Sequence, residues 1–192
     1  PGAPLFQMLG AFFAMFAFSP DKIALMVNYL SVFSSAFTVL FLFWSLTMIL
    51  KKVVSTAKEI SKNQNIMILG SAFIASLTFT FSDSFWYNAV EAEVYAMATF
   101  LIALLFWLGL RWEQEFETPR GNKWLLIISL VIGLSFGVHF MALLAFPAIG
   151  FLYFFKKYKT VTVKSFLIAN VVIVAILLFI FKLLLPYTLA FF

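Results

Sequence analysis

The sequence predicts an all-α protein: a polytopic transmembrane helix bundle of about six crossings, with an interfacial helix at its N-terminal end. Three observations carry this. The 192 residues are 64% hydrophobic and only 11% charged, where a soluble domain carries roughly a quarter charged residues. The mean hydropathy is +1.06. The apolar residues fall in long runs, and eleven of the thirteen Lys and Arg lie in three short polar stretches between them, 51–65, 111–123 and 156–164. A net charge of +5 distributed this way reads as membrane topology rather than as a nucleic-acid surface.

Taken in order, the run 1–18 begins Pro-Gly-Ala-Pro, and Pro4 suits a first helical turn, where its missing N–H costs nothing. This run is short for a crossing, which takes about 20 residues. Ser19, Pro20 and Asp21 stop it, and Asp21 can cap the next helix. The run 23–50 could reach about 42 Å as a helix, enough to span with tilt. Its Asn28, Ser31, Ser34, Ser35 and Thr38 are the small polar residues that pack helix on helix in lipid. Residues 66–81 span back, with Gly70, Ser71 and Ser76 as small contacts, and 94–112 cross again. The run 124–155 is too long for one helix. Two short helices, 124–138 and 140–155, meeting near Gly137 and His139, fit better. Residues 165–185 form the last span, with Lys182 near its end and Pro186 beyond it.

Orientation comes from the basic stretches, which stay cytoplasmic. They share a side only if 66–112 and 124–155 each cross twice. Residues 82–95 and His139 then face outward. So does the interfacial run 1–18, if the chain upstream of it is also outside. The domain reading is one transmembrane domain, with 1–18 juxtamembrane and 23–185 spanning. The chain has no cysteine, hence no disulfide and no thiolate metal site or nucleophile. No signal peptide is visible, no metal site is expected, and the chain reads as part of a larger protein.

The chemistry-bearing stretch is 82–95, Ser-Asp-Ser-Phe-Trp-Tyr-Asn-Ala-Val-Glu-Ala-Glu-Val-Tyr. It combines Asp83, Glu91 and Glu93 with Trp86, Tyr87 and Tyr95 between two apolar runs. Trp and Tyr favour the membrane interface, apolar on one edge and wet on the other. The stretch reads as an acidic, aromatic-rimmed mouth. Glu91 is equally well a solvated acid. Glu93 lies nearer lipid, where an acid without a job is rare, although an acid before Val94 also suits a helix N-terminus. If both were helical they would point to nearly opposite faces. Asp83 reads as a cap or loop acid. His139 is the only histidine. It is either a packed ring bonded to a neighbouring carbonyl or a donor to a phosphate or sugar oxygen at the outer mouth. Gly133 and Gly137 read as a small-xxx-small packing pair, and the acids of 113–117 as a solvated turn.

Three places together resemble a known family. The opening Pro1-Gly2-Ala3-Pro4-Leu5-Phe6 is similar to the end of a His-Pro-Pro-Gly-x-Pro-Leu-Phe motif. Glu91-Ala92-Glu93-Val94-Tyr95-Ala96 resembles an Ala-Glu-Val-Tyr signature. The segment from Gly133 to His139, with Pro147, resembles a Gly-rich segment ending in histidine. The family is that of the bacterial protein O-mannosyltransferase-like membrane proteins of the GT-C glycosyltransferase superfamily.

The resemblance implies transfer of a mannose-like sugar from a polyprenyl-phosphate donor to Ser or Thr hydroxyls of an acceptor protein. It implies an enzyme in the bacterial inner membrane with its active face outward. The donor is a substrate, and no cofactor is implied. The family's catalytic acid lies upstream of the proline motif, so the catalytic residue is not assigned within this chain, which alone is expected to be inactive. Glu93, His139, Glu91, Tyr95 and Trp86 are the candidates for sugar or donor binding. The competing classes are a secondary transporter, which would carry ionisable groups at the midplane on broken helices, and a non-catalytic membrane scaffold, which needs no acids at membrane depth.

Overall fold

A computed structural model describes residues 2–54, 60–184 and 186–187. Lys58, in the basic stretch 51–65, and Leu185, at the end of the last expected span, lie outside the described residues. Every regular element among those described is helical. In chain order they are α1 (Pro4–Ala14), a single turn at Pro20–Lys22, α2 (Ile23–Val54), α3 (Lys62–Thr80), α4 (Asp83–Val90), α5 (Val94–Gln114), α6 (Gly121–Ser135), a tight 3-10 stretch at Phe140–Leu144, α7 (Ala145–Lys157), α8 (Val163–Phe179) and a wide-turned end at Ile180–Leu184. The boundaries have local causes. Pro4 opens α1. Ser61 and Gln64 close a reciprocal capping box at the start of α3, and Thr162 and Ser165 do the same for α8.

Four helical stretches are long and apolar enough to cross a membrane: Pro20–Val54, Val94–Gln114, Phe140–Lys157 and Val163–Leu183. A fifth arises if α3 and α4, bent by 66° at their junction, count as one span. The crossing expected over 124–138 falls on α6, whose 15 residues extend only about 22 Å, short of a hydrocarbon core of about 30 Å. The packing nevertheless runs α6 antiparallel along α5. Trp124 at its start meets Trp107, and His139, just past its end, meets Tyr95. The six crossings expected from the sequence thus reduce to four, or five with the bent α3–α4 pair, among the described residues.

The chain divides into two compact units, Pro1–Ala145 and Phe146–Phe192. In the first, α2 is the hub, packed by α1, α3, α4 and α5, while α5 also packs α6. The polar stripe of α2 faces inward: Ser31, Ser34, Ser35, Thr38 and Ser45 are all buried. The Ser34 hydroxyl donates to the Leu30 carbonyl and that of Thr38 to Ser34. Ser34 and Thr38 thus satisfy themselves on their own helix, the hydroxyls of Ser35 and Ser45 find no partner among the described residues, and the small size of all five lets neighbours approach closely. A ring cluster of Phe41, Trp44 and Trp107, with centroids 5.1–5.5 Å apart, joins α2 to α5. Ser31 sits at Glu93 and Lys52 pairs with Glu113, so α2 and α5 lie side by side and run in the same direction.

That pairing corrects the reading of 113–117 as a merely solvated turn. Arg111 bridges to Glu115 at 2.8 Å, the indole N–H of Trp124 donates to the same carboxylate at 3.0 Å, and the guanidinium stands 5.3 Å from the Trp124 ring. Glu113 and Glu115 are spent tying α2, α5 and α6 together, while Glu117 is exposed as expected. In the second unit Gly150 admits Ile173, whose side-chain carbons would stand 3.0 Å from an added Cβ, and Phe151 stacks on Phe166.

Candidate functional site

The site is built at the end of the first unit opposite the Lys52–Glu113 pair. Its first part comes from the break after α6. The helix stops at Ser135, and its last carbonyls are capped by tight turns: the Gly137 N–H donates to Leu134 and the His139 N–H to Ser135. His139 itself is extended, φ −165° and ψ 145°, at the start of the 3-10 stretch. Its Nδ1 accepts the backbone N–H of Met141 at 3.2 Å. In the neutral ring, the proton is thereby assigned to Nε2. The sequence left open whether His139 is a packed ring or a donor. The ring is half-buried and anchored through one nitrogen, and its Nε2 has no hydrogen-bond partner among the described residues.

The second part is the start of α5. Glu91 ends α4 with extended backbone, and Glu93 is the N-cap of α5, φ −122° and ψ 157°. The two acids are therefore not helical, and the opposite-faces expectation does not apply. Both side chains are exposed. Neither carboxylate has a hydrogen-bond or ion-pair partner among the described residues, and Glu93 does not cap α5 with its side chain. The Glu93 carbonyl takes a long 3.5 Å contact from the Ser31 hydroxyl. Two residues on, Tyr95 brings its ring to 5.4 Å from the His139 imidazole, inclined at 55°.

The stretch 82–90, expected as part of an open mouth, is instead mostly the short helix α4. Ser82 is its N-cap and Asp83 its first residue, so Asp83 acts on the helix dipole. Trp86 does not join His139. It stacks on Phe81 at 6.1 Å and helps line an apolar cavity of about 250 Å³ between α2, the end of α3 and α4, with Val32, Ser35, Val39, Thr80 and Phe85.

The third part was not legible as a site. The N-terminus of α1 docks on the α6 break: the N–H groups of Leu5 and Phe6 donate to the Gly137 carbonyl at 2.8 and 3.3 Å. Gly133, expected to pack beside Gly137, faces open space, whereas a Cβ on Gly137 would stand 2.8 Å from Leu5 Cβ. Of the five candidates, the structure thus brings Tyr95 and His139 together, holds Glu93 at the start of the helix that carries Tyr95, and turns Trp86 to the cavity beside α4. Among the described residues no cluster of three metal-ligating side chains occurs.

The segments that meet here are those whose motifs carried the resemblance: the Pro-Leu-Phe start of α1, the Glu-Val-Tyr start of α5 and the Gly-to-His break after α6. No curated protein and no solved structure matches the chain. A family model does, across residues 1–162. That span takes in all three meeting segments and every helix of the first unit, and by it the chain belongs to the family of the protein O-mannosyl-transferase TMEM260 N-terminal domain.

Proposed function

We propose that this chain is the membrane part of a GT-C glycosyltransferase that moves a mannose-like sugar from a polyprenyl-phosphate donor to a protein Ser or Thr hydroxyl at the outer membrane face. The observation that carries the reading is the convergence of the α1, α5 and α6 segments at one end of the bundle, with an imidazole and two unpaired carboxylates beside them. In the transfer, the acceptor oxygen bonds to the sugar's anomeric carbon, the bond from that carbon to the phosphate oxygen breaks, and the hydroxyl proton passes to a carboxylate base. Neither Glu91 nor Glu93 is given the role of base. Glu93 binds sugar hydroxyls, and the Nε2–H of His139 donates to an oxygen of the departing phosphate. The apolar cavity beside α4 is available to hydrocarbon. A bacterial inner membrane as the setting rests on the resemblance. A transporter reading finds less support, because the buried polar residues of α2 are Ser and Thr and no charged residue is buried among those described.

The test is sugar transfer from a polyprenyl-phosphate donor to an acceptor peptide by the intact membrane enzyme. Within it, His139 variants separate the two ring nitrogens. His139→Gln carries an amide donor near the Nε2 position and should retain more activity than His139→Asn, which imitates only the Nδ1 contact. His139→Ala should fall about tenfold, the cost of one hydrogen bond to a charged group. Equal rates for all three would remove the imidazole from the phosphate.

The outward face has its own test. The chain has no native cysteine, so Lys123→Cys, at the exposed start of α6, should react with an impermeant thiol reagent only after cells are opened. Labelling in intact cells would reverse the orientation.

A further inference from the structure

We infer that Gly137 is a positioning residue that locks helix α1 to the His139 ring. The consequence for rate rests on the transferase reading of the proposed function; the structural lock does not. An α-helix leaves its first N–H groups without partners. In α1, Pro4 has none to offer and Ala3, the N-cap, has no side chain that can accept. The Gln7 N–H returns to the Ala3 carbonyl at 3.0 Å. Those of Leu5 and Phe6 both go to the Gly137 carbonyl, a cap supplied from 132 positions away in the chain. These two N–H groups are therefore spent on protein rather than open to a ligand.

The seat is also steric. An added Cβ on Gly137 would meet Leu5 Cβ at 2.8 Å and the Leu5 nitrogen at 3.4 Å. A Cβ cannot swing aside as a side-chain tip can, so α1 would have to move as a body. Gly137 is held in turn by its N–H to Leu134, 3.0 Å, and lies two residues before His139, whose own N–H is tied to Ser135 at 2.9 Å and whose Nδ1 is tied to Met141. Displacement at Gly137 therefore reaches the imidazole through a short, fully bonded turn. Nothing comparable surrounds Gly133, where an added Cβ meets open space.

The experiment is a double-mutant cycle on the intact membrane enzyme with Gly137→Ala, Leu5→Gly and both together, and Gly133→Ala as control. The isotope-labelled imidazole of His139 is assigned by its loss in His139→Gln and reports ring placement independently of turnover. Gly137→Ala should shift that resonance and lower kcat about tenfold, since displacements of this size cost one to two orders of magnitude, with the acceptor KM within about twofold. Leu5→Gly on top removes the clashing Cβ and should return the resonance and most of kcat. Gly133→Ala should match wild type. If Gly137→Ala alone fails to accumulate, recovery in the double variant supports the lock, and no recovery overturns it. An unshifted resonance in Gly137→Ala, or strictly additive effects, also overturns it. If the wild type transfers no sugar, the transferase reading fails while the resonance still decides the lock.

Discussion

Glu93→Gln is expected to lose roughly ten- to hundredfold of sugar transfer while membrane levels and thermal stability stay at wild type. The stability half comes from the structure. The carboxylate is exposed at the N-cap of α5 without a side-chain cap bond, and the contact that Glu93 does make, with Ser31, goes through its carbonyl, which the substitution keeps. The activity half comes from chemistry. An unpaired acid at the start of α5, two residues before the Tyr95 that meets His139, has only the helix dipole to act on within this fold. A charge-assisted hydrogen bond to a sugar hydroxyl is worth roughly 1.5–3 kcal/mol, on the order of ten- to hundredfold in rate if made in the transition state. The measurement is transfer at matched expression, with melting in detergent alongside. Wild-type rates would return Glu93 to the role of a solvated acid at a helix start. A large loss of stability would show a structural partner instead. Glu91→Gln, at the end of α4 and farther from α5, should be the milder change.

Trp112→Ala should be the most destabilising single change in the first unit, by about 3–5 kcal/mol. Against a total of about 5–15 kcal/mol for a typical domain, that is a large share. Trp112 lies on α5, is 1% exposed and stands edge-on to Phe116 with centroids 5.3 Å apart. It is the largest of the fully buried side chains. In lipid, helix association rests on close van der Waals packing rather than on exclusion of water, so the cavity left behind is a large part of the cost. Phe106→Ala on the same helix is the control: that ring is 45% exposed and loses few contacts. The check is thermal unfolding in detergent micelles. Melting temperatures that fall equally in both variants would mean α5 is not held through Trp112.

How much of the site was legible depends on what carried each residue. His139 stood out because an ionisable side chain in an apolar run is costly wherever it ends up, and Glu93 because acids beside a span are scarce. Both are single-residue arguments and need no partner. The Tyr95–His139 pair, the Ser31 contact and the Gly137 seat needed partners 44, 62 and 132 positions away, and no periodicity records a distance of that kind. Trp86 went to the cavity beside α4, away from His139, because α4 forms a helix and its ring stacks on Phe81. The run 82–90 is too short, and its apolar positions too few, for its helical state to be read over the aromatic and acidic signal around it.

The membrane, the long helices and the breaks at Pro20 and near Gly137 could be read from composition and local pattern alone, whereas the short α4 could not. Mean hydropathy, basic stretches and the breakers at Pro20 and Gly137 are local quantities, and in lipid the backbone must satisfy itself within each segment. Which helices lie together emerged only in three dimensions: that α2 and α5 run parallel, that α6 with its short turn returns as far as Tyr95, and that the bare Cα of Gly137 rather than that of Gly133 seats α1. Lys51, Lys52 and the acids of 113–117 mark the end of the bundle by their charge alone. Whether Glu113 and Glu115 face water or brace three helices depends on Lys52, Arg111 and Trp124 arriving beside them. The physical reason is the same in each case: burial and hydropathy act on each residue singly, whereas contact and ion-pair energies fall off within a few ångströms and exist only once two segments have been brought that close.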